Sequence, residues 1–138
     1  MTVCCRGIRG ATTAERNEPA AILEATHELL LALIDVNDLQ PEDIASVLFT
    51  VTADLDAAYP ARAARDLGWT DVALICAGEI PVPGGLPRCI RVLIHWNTTA
   101  AQSEVRHIYL REAKRLRPDL STDPCEGSQP SQGSGGKG

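Results

Sequence analysis

Between Cys76 and Trp96 the chain reads CAGEIPVPGGLPRCIRVLIHW, and this stretch narrows the possible folds more than any other. It ends one strand carrying Cys76 and Glu79, passes through a loop punctuated by proline and glycine, and enters a strongly apolar strand interrupted by one cation, Arg91. Two-residue alternation puts Cys89, Arg91 and Leu93 on one face of that strand and Ile90, Val92 and Ile94 on the other. Burying a guanidinium alone would cost several kcal/mol. Arg91 therefore meets either water at a sheet rim or an anionic partner in a cleft.

The flanking chain supplies the rest of a layered domain. Val3 to Ile8 reads as a first strand leaving through Arg6-Gly7-Ile8-Arg9-Gly10. Glycines on both sides of Arg9 suit either a close-approach site or a plain strand-to-turn exit. Asn17-Glu18-Pro19 has the form of a helix start, with a capping side chain and an early proline. Ile22, Thr26, Leu29, Leu30, Leu33 and Val36 then recur at helical spacing, which predicts one long amphipathic helix to about Asn37, with His27 at its surface or boundary. Ile44 to Thr52 is rich in apolar and β-branched residues and predicts a second strand. Pro60 opens a short helix, Ala61 to Leu67, stopped by Gly68. Arg62 and Arg65 share one side of it, as a solvated face or as a pair of anion ligands. Val72 to Cys76 predicts a third strand. Arg106 to Leu110 fits a short strand or a helix start, and Arg111 to Leu120 a helical turn closed by Pro118. The expected domain is residues 1–120; the Ser-, Gly- and Pro-rich remainder, 121–138, has too little apolar content to order itself.

This order predicts an α/β or α+β layer with its helices on one face of a single sheet. The uncovered face needs a partner, so an oligomer is expected. Over 138 residues, 44% of them hydrophobic, one domain with a real core is affordable. A net charge of -5 and only 4% aromatic residues argue against a nucleic-acid partner. No apolar run is long enough for a membrane span and the N-terminus does not read as a signal peptide, so a cytoplasmic protein is expected. Five cysteines without CxxC spacing fit neither a disulfide framework nor a zinc site, and are read as reduced thiols. Among 13 basic residues only Lys114 and Lys137 are lysines. Codon usage explains such a bias, and so does a need for planar forks that grip carboxylates; only the positions of the arginines can decide.

Four spaced motifs, RGIRGATTAERN, FTVTADLDAAYPARAAR, CAGEIPVPGGLPRCIRVLIHWNT and VRHIYLREAKRLRPDL, together resemble the AroH-class chorismate mutases, the monofunctional type of Bacillus and Thermus. The resemblance runs from about Arg6 to Leu120. It implies a homotrimeric pseudo-α/β-barrel, a mixed sheet in strand order 1-4-2-3 packed on one long helix, and active sites at the subunit interfaces. It implies chorismate as substrate and prephenate as product, on the route to phenylalanine and tyrosine, with no cofactor and no metal. By the same resemblance Arg91 meets the ether oxygen, Glu79 accepts from the ring hydroxyl, Cys76 contacts that hydroxyl and the ring, and Arg9 and Tyr109 bind the enolpyruvyl carboxylate, all from one subunit. The neighbour would bring Tyr59, Ala61, Arg62 and Arg65, with Leu74 and Ile75 among the binding positions and Leu116 and Arg117 in a closing segment. Tyr59 stands where phenylalanine is usual, Arg62 for lysine and Ile75 for threonine. Two other readings remain: an imine deaminase of the RidA type on a related trimeric fold, and a non-enzymatic module that binds an aromatic-pathway metabolite.

Overall fold

The computed structural model describes residues 2–117. The expectations for Pro118 and for the tail from Ser121 onward lie outside the described residues. The elements are β1 (Cys4–Thr13), α1 (Pro19–Asn37), β2 (Ile44–Val51), α2 (Ala61–Asp66), β3 (Ala73–Gly78), β4 (Cys89–Thr98) and β5 (Ile108–Tyr109), with 3-10 turns at Pro41–Asp43, Gln102–Glu104 and Arg111–Arg115. They form one mixed sheet in the order β3-β2-β4-β1-β5. The expected 1-4-2-3 order is present, and β5 extends it beyond β1. β4 lies in the middle, antiparallel to both β1 and β2, while β3 runs parallel to β2 and β5 parallel to β1.

The apolar run of β4 explains its central place. Ile90, Val92 and Ile94 are buried against the helical layer, where Ile8, Val47 and Phe49 join Leu29, Leu30 and Leu33 of α1. Burying each such side chain contributes about 1.5–3 kcal/mol. The segment after Val105, left ambiguous by periodicity, forms the edge strand β5.

Three local features differ from the sequence reading, each for a packing reason. β1 does not exit at Ile8 but continues to Thr13, because β4 and β5 pair with it on both sides. Gly10 is the close-approach site, and what approaches is the helix: a Cβ there would lie 2.8 Å from Leu33 Cδ1 and 3.2 Å from Leu29 Cδ1. Asn17 does not cap α1, whose N-cap residue Glu18 makes no side-chain capping bond. Its Oδ1 instead accepts from the backbone N–H groups of Asp56 (3.0 Å) and Ala57 (3.1 Å), and its Nδ2 donates to Asp56 Oδ1 (2.8 Å). Those loop amides lack a regular ladder and need acceptors. Finally, Val36 is 39% exposed and Asn37 takes the buried position one residue on. Either residue continues the helical spacing from Leu33, and the backbone of Arg106 lying against that turn favours the amide.

α2 ends as expected. Gly68 adopts φ 94°, and its N–H donates to Arg65 O at 2.9 Å. Ala61, Ala63 and Ala64 are buried, which leaves Arg62 and Arg65 on the outer side.

Candidate active site

Gly10 and Val92 are register partners and face α1. Alternation then turns Arg9, Ala11, Arg91 and Leu93 to the opposite face of the sheet. Cross-strand pairing arranges that face in rows. One row runs Tyr109, Ala11, Arg91, Thr50, Ala77, and the next runs Arg9, Leu93, Leu48, Ile75. Glu79 follows β3 directly, held by its N–H to Val51 O at 2.9 Å. With the same parity as Ala77, its carboxylate reaches across Thr50 to Arg91.

The contact is a two-pronged one. Arg91 Nε donates to Glu79 Oε2 at 2.8 Å and Nη2 to Oε1 at 2.9 Å, while the Thr50 hydroxyl donates to Oε2. The hydrogen bonds from Arg91 hold the Glu79 carboxyl below its usual range; partial burial opposes this and Thr50 assists. The bond to Glu79 likewise raises Arg91 above its ordinary value, against partial desolvation. Both groups are therefore fully charged at neutral pH. Nearby, burial pushes the Cys89 thiol up to about 11, which keeps it protonated. The Glu79 side chain is 15% exposed and that of Arg91 48%, so the guanidinium keeps a face to solvent. Its Nη1 makes no hydrogen bond among the described residues.

Two clefts meet at this ion pair. One of about 570 Å³ carries Glu79, Cys89, Arg91 and Leu116; a smaller one of about 270 Å³ carries Arg9, Thr50, Glu79, Arg91 and Tyr109. Tyr109 is 3% exposed and packs with Ala11 and Ala113, beside which Leu116 is partly buried. Arg9 is exposed, and its backbone N–H donates to His107 Nδ1 at 3.0 Å. Arg117 lies near enough to that imidazole to act on its charge.

The other expected residues gather elsewhere in the chain. Tyr59, Arg62, Arg65 and Cys76 line a separate cleft of about 640 Å³ at the β3 edge. Tyr59 is 73% exposed, and Arg62 and Arg65 project outward without an ion pair among the described residues. Within one chain Cys76 does not join Glu79 and Arg91, as the sequence reading expected. It is the register partner of Phe49, which is fully buried on the helix side, and Leu74 is likewise the partner of buried Val47. Ile75, between them, faces the Arg91 side and is 64% exposed. Ala61 is 4% exposed within the core. The physical reason is the strand period of two: Cys76 and Glu79 are three residues apart and leave the sheet on opposite sides.

Two residues of the site were not anticipated. Thr50 fixes Glu79, and only the register shows this, because nothing in the sequence of β2 says which strand lies opposite. His107 meets the Arg9 amide from a segment whose secondary structure periodicity left open. Chemically, the cleft offers two arginines, a tyrosine and a carboxylate that can only accept. That set has the chemistry to hold an anionic molecule bearing a hydroxyl and to present fixed positive charge to it.

The chorismate mutase type I family model matches residues 5–120. The chorismate mutase AroH of Thermus thermophilus is 58% identical over 118 residues, covering 85% of this chain and 97% of that protein. The chorismate mutase AroH of Bacillus subtilis (strain 168) is 47% identical over 117 residues, covering 84% and 92%. A solved chorismate mutase from Clostridium thermocellum matches with a TM-score of 0.79 and 50% identity, covering 80% of this chain and 98% of that one. The imine-deaminase and binding-module readings draw no support from these relatives. Among the described residues, no helix is long and apolar enough to cross a membrane.

Proposed function

The chain belongs to the chorismate mutase type I family, and from that premise we infer that it is an isomerase converting chorismate to prephenate by an intramolecular Claisen rearrangement. Chorismate carries two carboxylates, a ring hydroxyl and an enolpyruvyl ether. Its ether C–O bond breaks as a C–C bond forms, with no proton transferred. Acceleration must then come from holding the folded diaxial conformer and from charge aimed at the polarised transition state.

The observation that carries the assignment of roles is the Arg91–Glu79 pair, preorganised on the central strand with Nη1 of the guanidinium unclaimed among the described residues. We assign Arg91 to the ether oxygen, where negative charge develops, and Glu79 to the ring hydroxyl. Arg9 and Tyr109, in the adjoining cleft, take the enolpyruvyl carboxylate, and Leu116 and Arg117 close the opening.

We further propose a homotrimer in which the cleft of Tyr59, Arg62, Arg65 and Cys76 of one subunit closes on the Arg91 cleft of the next, with Ala61, Leu74 and Ile75 shaping or supporting that second wall. Two observations support this. The two groups of residues line separate open clefts, and the Arg91 side of the sheet leaves Ile75 largely exposed. On this reading Cys76 reaches the substrate from the neighbour. A cytoplasmic location goes with the free thiols of Cys4, Cys5, Cys76 and Cys89.

The direct test follows chorismate by loss of its ultraviolet absorbance, with acid conversion of the product to phenylpyruvate. Consumption of chorismate without an acid-convertible product would refute the activity. A single-subunit mass at working concentration would refute the trimer.

A further inference from the structure

The catalytic roles leave one histidine of the cleft region unused, and its geometry gives it a task. Arg9 N–H donates to His107 Nδ1 at 3.0 Å. The β1–β5 ladder begins one residue later, with Gly10 opposite Ile108. The imidazole thus stands in for a ladder carbonyl at the first rung and satisfies an N–H that the short edge strand would otherwise leave without a partner. His107 is itself held from the core. Asn37, 9% exposed at the end of α1, clamps the backbone of the preceding residue. Its Nδ2 donates to Arg106 O and its Oδ1 accepts from Arg106 N–H, each at 2.9 Å. A continuous line therefore runs from the last turn of α1 through Arg106 and the imidazole to the backbone of Arg9.

The bond requires Nδ1 to be unprotonated. Burial is the main influence disfavouring the imidazolium, and the charged groups acting on the ring, Arg9 on β1 and Arg117 beyond the last 3-10 turn, add to it. We propose that His107 is a positioning residue for Arg9, fixing the backbone from which the Arg9 guanidinium reaches the substrate carboxylate. This role rests on the reading of Arg9 as a carboxylate ligand. Without the bond, β1 loosens at the cleft edge and the guanidinium samples more orientations, which weakens ground-state and transition-state binding alike. The effect falls on KM and spares kcat.

The test compares His107→Leu with His107→Asn, whose Oδ1 can occupy the place of Nδ1. His107→Leu should raise KM about tenfold, the scale of one lost hydrogen bond to a binding group, with kcat nearly unchanged. His107→Asn should restore most of the loss, and His107→Leu added to Arg9→Ala should change KM no further. Independently of activity, hydrogen exchange of the Arg9 amide should quicken in the leucine variant and stay slow in the asparagine variant. Unchanged exchange, an unchanged KM, or effects that multiply in the Arg9→Ala background would each overturn the role. A wild-type protein inactive on chorismate overturns the activity reading and this role with it, whereas an active wild type with an unaffected leucine variant overturns the role alone.

Discussion

Replacing Arg91 by alanine is the sharpest test of the chemistry. In the resting protein two prongs of the guanidinium are taken by Glu79, at 2.8 and 2.9 Å, and Nη1 makes no hydrogen bond among the described residues. Truncation removes that preorganised donor, which is worth about 3 kcal/mol or more at a developing oxyanion and corresponds to about two orders of magnitude in kcat. It also leaves Glu79 in place with its side chain 15% exposed, now without its partner and facing a dianionic substrate. The loss in kcat/KM should therefore exceed the loss in kcat. Stability should move little: Arg91 is 48% exposed, and a solvent-screened pair contributes under ~1 kcal/mol. Arg91→Lys should recover only part of the rate, since a compact ammonium lacks the planar fork that holds Glu79 at two points and fixes the direction of the remaining donors. The assay is initial-rate loss of chorismate absorbance, paired with thermal unfolding at fixed protomer concentration. A kcat within tenfold of wild type in a folded alanine variant would refute the assignment of Arg91 to the ether oxygen.

Mixing Arg91→Ala with the double variant Arg62→Ala, Arg65→Ala, after joint unfolding and refolding, should restore intact sites at about one in four, as random assembly of a cyclic trimer requires. No recovery from correctly assembled mixed trimers would place both walls on one chain. Turnover should be flat across neutral pH, show no solvent deuterium effect and survive exhaustive chelation; a bell-shaped profile centred on neutral pH would mean that a proton moves in the chemical step. Stability should fall on the acid side. The folded-state pKa of His107 lies below its ordinary 6.5, so its contribution is present above about pH 6.5 and is lost as pH drops through the folded value. That limb should be missing in His107→Asn, as denaturant melts at several pH values would show. Gly10→Ala should destabilise by about 1–3 kcal/mol through overpacking, because its Cβ would stand 2.8 Å from Leu33 Cδ1 and 3.1 Å from Val92 Cγ1. An unchanged urea midpoint would show that α1 yields there freely.

What the sequence determined by itself is whatever depends on neighbours along the chain. The two-residue period of β4 separated Arg91 from Ile90 and Val92, and Ile90, Val92 and Ile94 are buried while Arg91 is exposed. The Pro60 and Gly68 punctuation bounded α2, and the helical period found the stripe from Ile22 to Leu33. The four motifs together carried the family, and with it the strand order. Decisions between residues distant in sequence needed the tertiary structure. Asn17 had the composition of a cap, but the amides of Asp56 and Ala57 lay 39 and 40 residues away and took its oxygen. Val36 and Asn37 fitted the helical period equally, and the backbone of Arg106 chose between them. Thr50 and His107 became part of the site only through β2–β4 register and the β1–β5 edge. Cys76 shows the limit most plainly. Its motif tied it to Glu79, yet three residues along a strand reverse the direction of a side chain, and the two leave the sheet on opposite faces. Alternation says that a strand has two faces; which of them carries the helix, and which is left open, is decided by what packs there.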